Sequence, residues 1–121
     1  MAANLAVSLV LNHQRGSVDT SINSPSVIAA LGDAIESNTI TVTEAAAMAV
    51  PLGAVTTPAL LYARNADATN YIVILDDTAE IARIYPSSFP AIIPLPAGVD
   101  LKAQANTADA QLEYAVFQAA S

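Results

Sequence analysis

The chain has 121 residues, enough for one domain with its own core, and carries a formal net charge of −7 from four basic and eleven acidic residues. The cations Arg15, Arg64, Arg83 and Lys102 are spread evenly along it, so no basic patch exists to hold a phosphate backbone and nucleic-acid binding is excluded. Cysteine is absent, which removes thiolate metal sites, disulfides and thiol catalysis.

At the start, Met1-Ala-Ala-Asn-Leu lacks the positive n-region of a signal peptide, and no apolar run approaches the roughly eighteen residues that span a bilayer. A soluble protein made in the cytoplasm, with no membrane partner, is expected. Asn4–Asn12 alternates cleanly, with Leu5, Val7, Leu9 and Leu11 on one face and Ala6, Ser8 and Val10 on the other. This predicts a half-buried strand. Val10 interrupts its polar face, as in a strand covered on both sides. His13–Gly16 reads as a turn, and Ser17–Asn23 as a second strand pairing antiparallel with the first.

Ser24–Ser37 carries mixed signals. Ser24 and Pro25 fit a helix N-cap and first position, and Val27, Ile28, Leu31 and Ile35 fall at helical spacing, while Gly32 argues against a helix. A short helix over Pro25–Glu36 and an extended loop are equally expected. Thr39–Thr43 is β-branched and alternating, hence a strand. Ala-rich Glu44–Val50 extends that strand region, and Pro51-Leu-Gly and Thr57-Pro58 punctuate the connection that follows.

Leu60–Ile74 reads as the centre of the sheet. Leu60, Tyr62 and Arg64 alternate with Leu61, Ala63 and Asn65; residues 65–70 are small and Asx-type; Tyr71–Leu75 is an apolar β-branched run. Two strands joined as a hairpin are predicted. Asp76–Thr78 is a turn, Glu80–Tyr85 a strand, Ala91–Leu95 a short strand confined to an edge by Pro94, and Pro96–Gly98 a turn. Val99–Asn106 has one apolar and one polar face. Ala110–Ala119 ends the chain with Leu112, Tyr114 and Val116 alternating against Glu113, Ala115 and Phe117.

About nine short strands with turns every eight to twelve residues predict an all-β fold, an antiparallel β-sandwich with at most one short helix. A jelly roll is the first choice and a Greek-key or immunoglobulin-like sandwich the second. Residues 1–121 form one domain, with residues 1–14 as an assembly strand. Apolar residues make up 54% of the chain, roughly a fifth of it is alanine, and only 12% is charged. So few charges predict a partly apolar surface that is buried against copies or partners.

The stretch from Gly53 through Leu60-Leu-Tyr-Ala-Arg-Asn and Thr69-Asn-Tyr-Ile-Val to Ile74 resembles a pattern in small structural proteins of tailed-bacteriophage virions. There, a hairpin of this kind is followed by an apolar strand, a Pro-Gly loop and a final strand. Here these correspond to Ile92–Leu95, Pro96–Gly98 and Leu112–Phe117, so the resemblance covers about half the chain. Pro58-Ala59 and Leu75-Asp76 depart from it where glycines are expected. The resemblance implies a structural virion subunit, most of all a capsid decoration (cement) protein stabilising a phage head, or else a tail or fibre component. Its partners would be copies of itself, as a trimer by analogy with proteins on three-fold axes, and the major capsid protein or other virion proteins.

Candidate chemistry is sparse. His13 has Ser8, Ser17 and Asp19 near it in sequence but no nucleophile elbow, so catalysis is not expected. Asp76, Asp77 and Glu80 lack an EF-hand loop pattern and read as a solvated turn. No enzyme activity, cofactor or metal is expected. Arg64 beside Asn65 reads either as a turn element, the role the resemblance implies, or as an intersubunit contact in which Arg64 bonds a neighbour's carboxylate. The interface candidates are therefore Leu5, Val7, Leu9, Val10, Arg64 and Asn65. Tyr62, Tyr71, Tyr85 and Phe89 would line a sugar-binding face if the chain were instead a carbohydrate-binding module.

Overall fold

The structure, a computed structural model, describes residues 2–16, 18–86 and 89–120, with residues 2–15, 18–31 and 33 described by the course of the backbone. The chain is all-β, and no described residue is helical. Among the described residues the nine strands are β1 (Ala2–Arg15), β2 (Val18–Val42), β3 (Met48–Ala49), β4 (Pro58–Asn65), β5 (Ile72–Asp76), β6 (Ala79–Ile84), β7 (Ala91–Pro94), β8 (Leu101–Ala105) and β9 (Ala110–Ala119). They form two antiparallel sheets, ordered β1-β2-β9-β4-β7 and β3-β8-β5-β6. The pairs β2–β9, β3–β8, β4–β7 and β5–β6 are nested one within the next, so β2–β9 trace one double-stranded ribbon wound around the core.

Period-2 patterning explains which residues enter that core. Leu61 and Ala63 of β4, Ile72 and Ile74 of β5, Leu101, Ala103 and Ala105 of β8, and Leu112, Tyr114 and Val116 of β9 are all buried. Burying each large aliphatic side chain among them contributes about 1.5–3 kcal/mol. Buried Tyr114 needs a partner for its hydroxyl and donates to the Pro51 carbonyl at 2.8 Å. β7 takes the edge position expected of a strand containing Pro94.

Three expectations are corrected. The stretch 60–74 is not a hairpin: β4 pairs with β7 and β9, β5 with β6 and β8, so the chain crosses between sheets there. Both strands have a fully apolar face, and such faces are satisfied equally by lying across the core from one another. The connector makes that crossing rigid. The Asn65 amide donates to the Asn70 and Ile84 carbonyls at 2.7 and 2.9 Å, while Asn65 Oδ1 accepts the Asp67 N–H at 2.8 Å.

The stretch Pro25–Glu36 is neither helix nor loop; it lies inside the 25-residue strand β2. Pairing with β1 and β9 outweighs its helical spacing. The register shifts between Val7 and Leu9, where Ser8 lies opposite Pro25 and Ser26. A bulge is the place in a ladder where the missing N–H of a proline does least harm. The turn expected at His13–Gly16 is also shorter than the sequence suggests. β1 continues to Arg15, whose register partner is Val18, and Gly16 follows it at φ 61°.

Candidate functional site

The most distinctive feature is the β1–β2 ribbon. β1 has β2 as its one hydrogen-bonded neighbour, and upstream of Leu31 no described strand other than β1 pairs with β2. Fourteen residues at about 3.3 Å each make β1 about 46 Å long. The ribbon is therefore an arm continuing the five-stranded sheet beyond β9. A two-stranded ribbon alone is marginal in water, and three strands or a packed face are needed for stability.

The register places Ala3, Leu5 and Val7 opposite Leu31, Ala29 and Val27, and Leu11 opposite Ile22, all on one face. Val10 lies on the other face, opposite Asn23. Four of the interface candidates, Leu5, Val7, Leu9 and Val10, thus fall on the arm. Residues 2–14 and 20–32 contain no Asp, Glu, Lys or Arg. Arg15 and Asp19 cancel at the tip, so the whole net charge of −7 lies in residues 33–121, on three basic and ten acidic residues. An edge strand with no Asp, Glu, Lys, Arg or proline over residues 2–14 presents an unguarded pairing edge along them.

At the root of the arm the ladder between β2 and β9 shifts between Leu31 and Ile35. A β-carbon on Gly32 would stand 2.6 Å from Gln118 Cγ and 2.7 Å from the Ala119 carbonyl oxygen. Gln118 in turn accepts the Thr56 and Thr57 N–H groups at 2.8 and 3.1 Å, tying the end of β9 to the loop before β4. Sequence reasoning treated Gly32 only as a weak helix position; its close approach to β9 is a long-range contact with no local signal.

The arm's apolar face continues onto the body. Core residues of β9 are even-numbered, so Ala115, Phe117 and Ala119 lie on the outer face, and Leu31 is opposite Ala119. Across that outer face run two rows, Ile92-Tyr62-Ala115 and Pro94-Leu60-Phe117-Ile35. Ile35 and Ile92 are 53% and 49% exposed. An outer sheet face is ordinarily polar in a monomer, with apolar residues reserved for the core side.

Arg64 and Asn65 do different work. Arg64 is bonded within its own chain: Nε and Nη2 lie 3.3 and 2.9 Å from Glu113 Oε2, its register partner on β9. That hydrogen bond raises the guanidinium's pKa further. Asn65 is 2% exposed, and its bonds hold the β4–β5 crossing, so it belongs to the chain's interior.

The aromatics divide between the sheets. Tyr62 lies on the outer face of the five-stranded sheet, while Tyr71 and Tyr85 flank the other sheet with ring centroids 5.6 Å apart, and Arg83 sits 4.9 Å over Tyr71. Phe89 is 85% exposed. The acidic residues spread rather than converge: Asp76 accepts the Asp100 N–H, Asp77 pairs with Lys102 and Glu80 with Arg83. Among the described residues no three His, Asp or Glu side chains are grouped to hold a metal ion. The side chains of His13, Ser8, Ser17 and Asp19 lie outside what the structure describes.

No family model matches the chain, and no curated protein or solved structure is similar to it.

Proposed function

We propose that this protein is a non-catalytic structural subunit that builds or decorates a larger assembly, with the β1–β2 arm as its joining element. The observation that carries the reading is the arm itself: a net-neutral, apolar-faced ribbon about 46 Å long, with no described strand of its own chain beside β1's outer edge or beside β2 upstream of Leu31. A virion is the setting that the resemblance of Gly53–Phe117 implies, with a capsid decoration protein as the first form of it and a tail or fibre component as the second. The nested pairing of β2–β9 supports a jelly-roll reading of the body. That architecture recurs in viral capsid and lectin domains, and it is an argument by analogy about the setting rather than about the site.

A carbohydrate-binding module is the second reading, favoured by the cluster of exposed Tyr85 with Tyr71 and Arg83 and by the exposed Phe89. Light scattering of the full chain across a hundredfold range of concentration, followed by co-sedimentation with tailed-phage particles, separates the two. The subunit reading expects a homo-oligomer and retention on particles. A monomer at every concentration with no retention sinks it, and a glycan array then tests the second reading.

A further inference from the structure

We infer that the partner of the arm is a second copy of this chain, packed face to face across a two-fold axis so that each arm lies on the outer face of the other copy's five-stranded sheet. This deepens the structural-subunit reading and rests on it.

Three observations converge on that occupant. The first is geometric. The arm's apolar face, Leu5, Val7, Ala29 and Leu31 among its residues, and the body's apolar rows around Tyr62, Ile92 and Phe117 lie on the same side of one continuous sheet. Within one chain neither can cover the other. Two copies placed antiparallel cover both at once, since a surface that carries both halves of a contact is self-complementary under a two-fold. Two sheets stacked in this way sit about 10 Å apart with their faces interdigitating.

The second observation is area. The chain exposes 7247 Å². A compact protein of 12.4 kDa exposes about 6,100 Å², so roughly 1,100 Å² is surplus. A stable interface of standard size removes about 800 Å² from each partner, which the surplus covers.

The third is charge. With the arm neutral and −7 held by residues 33–121, two bodies repel each other at a distance while the surfaces that meet carry almost no charge. The ion pair described on the outer face, Arg64–Glu113, is already neutralised within the chain. Association driven by apolar burial against screened repulsion strengthens as salt is added, the opposite of a contact made by salt bridges. The trimer expected by analogy is replaced here by a dimer, because a self-complementary face closes at two copies.

The test is sedimentation equilibrium of the full chain with charges placed at chosen points. Wild type is expected as a dimer whose midpoint falls to lower protein concentration as salt rises. Ile92→Asp on the body and Val7→Asp on the arm each raise the midpoint at least tenfold. Ile92 lies outside the core, so its variant keeps the circular dichroism of the wild type. Ala79→Asp, exposed on the other sheet, leaves the midpoint unchanged. The chain has no cysteine, so mixing Val7→Cys and Ile92→Cys copies with a bismaleimide linker of about sheet-packing length gives mixed cross-linked dimers. An oligomer whose midpoint ignores both aspartates, or that forms no mixed cross-link, overturns this interface while leaving the subunit reading standing. A wild type that is monomeric at every salt and concentration overturns the inference, and the subunit reading then stands or falls on particle binding alone.

Discussion

Gln118 Cγ occupies the place where Gly32 would carry a β-carbon, 2.6 Å from that position, so the root of the arm and the end of β9 are packed backbone against side chain. Gly32→Ala must therefore separate β2 from β9, because the Ala119 carbonyl at 2.7 Å is backbone and cannot rotate away. Overpacking of this kind costs about 1–3 kcal/mol, against about 0.4–1 kcal/mol gained by stiffening the unfolded chain. A net loss in urea denaturation is expected. An unchanged midpoint would mean that the strands do not approach so closely.

Core and outer face respond differently to the same charge. Ile72 is fully buried, so Ile72→Asp leaves a carboxylate without a partner and costs several kcal/mol, more than about 4. Tyr62, read from sequence as its equal in a central hairpin, is half-buried on the outer face, and Tyr62→Asp costs much less. Thermal denaturation of the two variants side by side checks the order; equal losses would contradict the assignment of faces.

Asn65 is the polar centre of the β4–β5 crossing. Asn65→Asp turns a donor to two carbonyls into an acceptor facing them, leaving the Asn70 and Ile84 carbonyls unpaired at about 1–3 kcal/mol for each buried group. Burial and two facing carbonyls raise the new acid's pKa, so its neutral form is favoured in the fold. The loss is expected to be largest at neutral pH and to shrink as pH falls and the acid protonates. Urea titrations at pH 7 and pH 5 measure the difference.

Asp67 titrates in the opposite sense. The Asn70 and Thr69 N–H groups donate to its carboxylate at 2.7 and 3.0 Å and hold its pKa below the usual range, Asn70 first. A depressed folded-state pKa contributes stability that is present above the unfolded value of about 3.9 and lost as pH falls through the folded value. Acid denaturation of Asp67→Asn is expected to show a shallower decline below pH 4 than wild type. An identical acid limb would remove this carboxylate from the account.

The Arg64–Glu113 pair lies on an exposed face, with side chains 44% and 41% accessible. Arg64→Ala is expected to change stability little, and less still at high salt. It also leaves Glu113 without its cation on the outer face, so the dimer midpoint is expected to rise, by less than in Ile92→Asp. An unchanged midpoint would place the Arg64–Glu113 pair outside the contact.

Much of the fold is legible in the residues because a strand with one face in the core must alternate. Val99–Asn106 and Ala110–Ala119 read directly as β8 and β9, and Pro94 alone places β7 at an edge. What the sequence could not decide was which strand meets which. Leu61 and Ile72 alternate identically whether their strands pair side by side or face one another across a core, and the distant partners Val116 and Ala105 settle that choice. Likewise, Val27, Ile28, Leu31 and Ile35 suit a helix until β1 supplies a ladder for the first three and β9 for Ile35. Local pattern determines that a residue is buried on one side; only the long-range pairing, absent from any short window, determines against what.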